Sequence, residues 1–109
     1  MKPIFILRQI KISHRQLQKK FKHAADFGIY GSYSEVNAAK FEQAIRKFMN
    51  NSANKVFEGS YRGKVCIFHV NPQTRLNVIT DHDENFISGW KLNPQQLQIL
   101  LESAKLGGI

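Results

Sequence analysis

The order of apolar and polar residues predicts an α+β fold: N-terminal helices packed on a four-stranded antiparallel β-meander, with a C-terminal helix. Two changes of rhythm carry that prediction. Between Ser13 and Met49 the apolar residues recur every three or four positions, and from Lys55 to Lys91 they alternate every second one. After Asn93-Pro94 the helical spacing returns.

Each element has a local cause. Ser13 with Gln16 forms a capping-box pattern and opens a helix with Leu17, Phe21 and Ala24 on one stripe, which Gly28 stops. Ser32 with Glu35 is a second such pattern. The helix it starts sets Val36, Phe41, Ala44, Ile45, Phe48 and Met49 on one buried face, and the polar run 50–54 ends it. Strands follow at Lys55–Tyr61, Lys64–Val70, Leu76–Thr80 and Asn85–Lys91. Arg62-Gly63, Asn71-Pro72-Gln73-Thr74 and Asp81-His82-Asp83-Glu84 separate them as tight turns. Connections this short join neighbouring strands, hence the meander. Asn93 as N-cap and Pro94 at the first helical position start the last helix, with Leu97, Leu100 and Leu101 inward and Gly107-Gly108 closing it. Residues 1–12 alternate poorly and are left open between an extended arm and a short helix. With helices on one face of the sheet, the other face is expected to be free for a substrate.

The 109 residues make one domain with one hydrophobic core. Sixteen Lys and Arg against eight Asp and Glu give a net charge of +8, which favours a polyanionic partner. The charge is also uneven: Lys2, Arg8, Lys11, Arg15, Lys19, Lys20 and Lys22 precede the first acidic residue, Asp26. A merely solvated basic face is the plainer alternative. A membrane surface would call for a broader apolar helix face than Leu17, Phe21 and Ala24 provide, so no membrane partner is expected. The run Met1 to Leu7 is too short for a signal-peptide core or a span. Cys66, alone in an apolar strand, reads as a small buried hydrophobe. His14, His23, His69 and His82 are scattered without partner thiols or carboxylates, so neither metal nor cofactor is expected.

One histidine stands apart. His23 has Lys20 at i−3 and Lys19 at i−4 on its helix face, and Lys22 adjacent in sequence. Nearby cations disfavour imidazolium and leave a neutral base. Such a base can take the proton of a ribose 2′-hydroxyl, whose oxygen then attacks the adjacent phosphorus to leave a 2′,3′-cyclic phosphate and a 5′-hydroxyl. Lysines would neutralise the charge growing on the phosphoryl oxygens. Ser88 and Trp90 alternate on the last strand and share a sheet face, where a hydroxyl can bond a phosphate oxygen and an indole can stack on a base. A surface histidine and a core tryptophan are the competing readings of the same residues.

Two runs in register resemble one family. Lys20-Phe21-Lys22-His23-Ala24-Ala25-Asp26-Phe27-Gly28-Ile29 and Phe86-Ile87-Ser88-Gly89-Trp90-Lys91-Leu92-Asn93-Pro94 are similar to the Lys-His-Ala and Ser-Gly-Trp-Lys segments of the colicin D nuclease domain. Phe41 to Ile45, Gly59-Ser60-Tyr61-Arg62 and the Asn71-Pro72-Gln73-Thr74 turn add a matching body, so the likeness spans Leu17 to Leu101. The resemblance implies a metal-free endonuclease that cuts the anticodon loop of transfer RNA, of arginine above all, and stops translation. It also implies an acidic immunity protein as partner and the fold plan of small ribonucleases and RelE-like toxins.

By the same resemblance His23, Lys20, Lys22, Ser88 and Trp90 take the catalytic roles. Lys19, Lys91, Arg15 and Lys64 are the further cations expected along the RNA. The chain then reads as a toxin module of a larger delivered effector, or an orphan remnant of one, acting in the cytoplasm of a target bacterium. Ala25 stands where the family has glycine, and the loops at 31–34 and 81–84 differ. A non-catalytic RNA-binding module, or a module for an acidic protein, would keep the basic face and dispense with His23.

Overall fold

The computed structural model describes residues 9–107. Residues 1–8 and Gly108, on which parts of the arm and helix-end expectations fall, lie outside the described residues. Helix α1 (His14–Lys20) starts at Ser13, whose hydroxyl accepts the Gln16 backbone N–H at 3.1 Å. The box is only half made, because the Gln16 side chain donates instead to the Ile87 carbonyl of the sheet. From Phe21 to Phe27 the chain tightens into a 3-10 segment that ends at left-handed Gly28. Helix α2 (Glu35–Met49) corrects the second expectation. Its cap is Ser34, which accepts the Asn37 N–H at 3.0 Å, whereas the Ser32 carbonyl accepts the Asn37 side chain at 2.9 Å. Starting at Glu35 turns Val36 to solvent at 64 % exposure and puts Ala38 inside with Phe41, Ile45, Phe48 and Met49.

Strands β1 (Lys55–Tyr61), β2 (Lys64–Val70), β3 (Leu76–Thr80) and β4 (Phe86–Lys91) pair antiparallel in sequence order. Helix α3 (Pro94–Ser103) carries a complete capping box between Asn93 and Gln96. It ends at Ala104 in the left-handed conformation rather than at the glycines. The chain then adds β5 (Lys105–Leu106) parallel to β1, so the sheet has five strands in the order β4-β3-β2-β1-β5. Two residues carry no readable period, which is why the fifth strand left no trace in the sequence. Residues 9–12 run alongside the start of β4: Lys11 accepts from Phe86 N and donates to the Glu84 carbonyl, each at 2.8 Å.

The sheet is covered on both faces, which corrects the expectation of a free one. Ile10, Leu17, Ala24, Phe41, Ile45 and Phe48 pack with Val78 and Phe86 on one side. Cys66, Phe68, Val70 and Ile79 pack with Leu92, Leu100 and Leu106 on the other. On α3 Leu100 is buried and Leu97 packs beside it, as expected, whereas Leu101 is 43 % exposed. The sheet is also curled: β1 and β4 are separated by two strands, yet the rings of Tyr61 and Trp90 stand 5.7 Å apart.

Gly59 permits the return of the C-terminal segment. The Ala104 carbonyl accepts the Ser60 N–H at 2.9 Å, and a Cβ on Gly59 would sit 2.1 Å from that oxygen. Gly59→Ala is therefore expected to destabilise the protein by about 1–3 kcal/mol, the usual cost of overpacking against a rigid neighbour. A denaturant midpoint equal to that of the parent would contradict the close approach.

Candidate active site

The 3-10 segment is pinned to β4. The Asp26 carboxylate accepts the Lys91 backbone N–H at 2.9 Å, and Phe27 wedges between Phe41 and Phe48 at 5.6 and 6.2 Å. Gly89 makes the fit possible, since a Cβ there would meet Phe27 Cζ at 3.2 Å and the Asn77 carbonyl oxygen at 3.1 Å. Tightening also changes which side chains align. In a 3-10 turn residues i and i+3 eclipse, so Lys20 falls in line with His23 while Lys19 drops off that edge.

His23 thereby faces the sheet, its ring 6.0 Å from that of Trp90 and tilted by 37°. Trp90 meets Tyr61, and the Arg62 guanidinium lies 5.2 Å above the Tyr61 ring. Arg62 has φ 52°, and its N–H donates to the Leu106 carbonyl at 2.9 Å, so β5 fixes the turn that carries it. Lys20, Lys22, His23, Tyr61, Arg62 and Trp90 line one open cleft of about 290 Å³, and Gln96 with Leu106-Gly107 completes its lining.

The cleft shifts its titrating groups in a consistent way. Burial, then the Lys22 ammonium, hold the His23 imidazole below its ordinary pKa; Asp26 opposes this and Lys20 reinforces it. Burial is the largest single cause, ahead of the adjacent Lys22. Lys20 is likewise lowered, by burial first and then by Lys22, Arg62 and Lys19. A base kept neutral and an ammonium made more acidic share one cleft with two further cations.

The remaining expected residues are placed as follows. Ser88 is on the same face as Trp90 but buried, at 1 % exposure, and does not line the cleft. Lys19, Arg15, Lys64 and Lys91 are exposed and outside the lining. Lys91 contributes its backbone to the Asp26 contact, and Lys64 sits opposite Tyr61 in the hairpin. Trp90 is both things at once, half-buried against the second core and a wall of the cleft. His69 is packed, its Nε2 3.0 Å from Thr80 Oγ1. Burial pushes the Cys66 thiol up to about 11, so it stays protonated. Among the described residues no group of three or more His, Cys, Asp or Glu is arranged to hold a metal, and no helix is long and apolar enough to cross a membrane. Sequence reasoning missed Tyr61, Arg62 and Gln96 in the cleft, because they are far from His23 in the chain and only sheet curl and the docking of α3 bring them to it.

Comparison with known proteins follows this geometry. The family model "Colicin D" matches residues 16–100. Colicin-D of Escherichia coli is 37 % identical over 100 residues, covering 88 % of this chain, which spans 14 % of colicin-D. A solved ribonuclease from Escherichia coli, complexed with its inhibitor protein, superposes with a TM-score of 0.76 at 37 % identity, over 84 % of this chain and 100 % of that one. With both segments, the intervening body and the helix-then-sheet order in common, this chain belongs to the colicin D family.

Proposed function

We propose that this chain is the ribonuclease domain of a colicin D-like toxin, a metal-independent endonuclease that cuts the anticodon loop of transfer RNA, arginine isoacceptors above all. The observation that carries the reading is the juxtaposition of His23, with its depressed pKa, and the cations Lys20, Lys22 and Arg62 against Trp90. Likeness to a ribonuclease supports the activity in general. The loop preference rests on the family resemblance and on the cleft itself, since single-stranded bases can be splayed and stacked on an aromatic wall.

In this reaction neutral His23 removes the 2′-hydroxyl proton as the 2′-oxygen bonds to phosphorus. The bond from phosphorus to the 5′-oxygen breaks, and Lys20, the more acidic ammonium, gives that oxygen a proton. Lys22 and Arg62 balance the charge on the non-bridging oxygens. Ser88 shares the strand and the sheet face of Trp90, and Lys19, Lys91, Arg15 and Lys64 extend the positive surface for the flanking backbone. The net charge of +8 also suits an acidic immunity protein, as the inhibitor-bound relative suggests. Delivery within a larger toxin and action in the cytoplasm of a target bacterium complete the proposal.

The test is incubation with total bacterial transfer RNA in EDTA, resolved on a denaturing gel and probed for arginine isoacceptors. Discrete halves are expected, with 2′,3′-cyclic phosphate and 5′-hydroxyl ends. A 3′-hydroxyl product would exclude 2′-hydroxyl attack, and inhibition by EDTA would exclude the metal-free route.

A further inference from the structure

Beside Trp90, on the same face of the sheet, lie two buried polar side chains with no hydrogen-bond partner among the described residues. Both amide atoms of Asn77 and the Ser88 hydroxyl are unpaired, at 0 % and 1 % exposure of their residues. They occupy one spot. Asn77 lies directly across from Trp90 in the β3–β4 register, and Ile79 lies across from Ser88. Alternation therefore sets Asn77, Ser88 and Trp90 on one face, with Asn77 and Ser88 diagonal neighbours. The register shift falls between Ile79 and Thr80, outside this stretch.

Orphaned polar groups in a core are costly and rare, and native proteins satisfy them with partners or with internal water. A diagonal pair is about 7–8 Å apart at Cα, somewhat too far for a direct bond between these short side chains. One water spans such a gap, and a water needs two to four polar partners. Asn77 and Ser88 supply three polar atoms and no charge. The indole beside them is weakly held at its polar end. Its N–H reaches Gln96 Oε1 only at 3.5 Å, and that oxygen already accepts the Asn93 N–H at 3.0 Å.

We propose that Asn77 is a positioning residue of the cleft: with Ser88 it holds one buried water that seats Trp90 at the angle facing His23. The functional half of this inference rests on the ribonuclease reading; the structural half does not. Neither run that carries the family resemblance contains Asn77.

The experiment is a double-mutant cycle with the single tryptophan as its reporter. Asn77→Leu and Ser88→Ala each orphan the other group and are each expected to lower the melting temperature by roughly 4–8 °C. The double variant replaces both partners by apolar groups and is expected to recover most of that loss. Additive losses overturn the shared niche. Asn77→Leu is also expected to raise acrylamide quenching of Trp90 and lower its anisotropy, and Asn77→Ser, which retains a polar group, to restore both. Unchanged Trp90 signals overturn the seating role.

In cleavage assays Asn77→Leu should raise KM more than it lowers kcat, and an unaltered KM overturns the functional half. Should Asn77→Leu fail to fold, a wild-type crystal structure decides: a water bonded to both residues upholds the niche, and its absence overturns it. If the wild type cleaves no RNA, the ribonuclease reading falls, and with it the functional half, while the melting cycle and fluorescence still judge the niche.

Discussion

His23→Ala is expected to slow RNA cleavage by about 10²–10⁴-fold, the range that a positioned general base supplies. The fold should survive, because the imidazole is half-buried at the cleft wall while the core contacts of the segment come from Phe21, Ala24 and Phe27. A pH profile sharpens the test. His23 titrates below its ordinary value because of burial and Lys22, so it is neutral and competent as a base above that depressed pKa. Activity should therefore persist to more acid pH than an ordinary histidine allows, and fall as pH drops through the folded value.

The stability linkage has the same sign. The unfolded chain binds the proton more readily between the two pKa values, so the contribution of this site to stability is complete above the unfolded value and is lost as pH falls through the folded one. His23→Ala should remove that part of the acid destabilisation. Retained cleavage by a well-folded His23→Ala protein would move catalysis elsewhere in the chain.

Lys20 is expected to show the second large effect. Lys20→Ala should cost about 10²–10³ in kcat, comparable to removing one donor from a preorganised charge-stabilising site. Lys20→Arg separates two roles that alanine confounds. Arginine keeps the positive charge yet scarcely releases a proton. If Lys20 protonates the leaving 5′-oxygen, Lys20→Arg should recover KM and leave kcat low. Full recovery of kcat would assign Lys20 to charge alone and place the acid at another group. Burial, then the neighbouring cations Lys22, Arg62 and Lys19, make the Lys20 ammonium more acidic than usual.

Particular residues show why some features were legible in the sequence. Lys55–Tyr61, Lys64–Val70 and Leu76–Thr80 are strands with the expected ends, because alternating β-branched and aromatic residues stop at strong turn formers. Asn93-Pro94 opened its helix as expected, since an N-cap and a proline act on local backbone alone. Ser34 displaced Ser32 at the start of α2, a choice between two equally suitable hydroxyls that the loop before them decides. The first helix was legible as a helix but not as one that tightens after Lys20, because docking of Asp26 and Phe27 on β4 sets that change.

The candidate site divides along the same line. By itself the sequence determined the order of the helices and of the first four strands, the basic N-terminal third and the neighbourhood of His23, all of which depend on residues within a few positions of one another. Only the tertiary structure decided that the cleft includes Arg62, Tyr61 and the chain around Leu106, and that Ser88 is buried with Asn77 on the sheet face that carries Trp90. Those groups lie on β1 and the turn after it, β3, β4 and β5, brought together by a sheet whose curl, two-residue fifth strand and return past Gly59 come from packing between distant segments rather than from local preference.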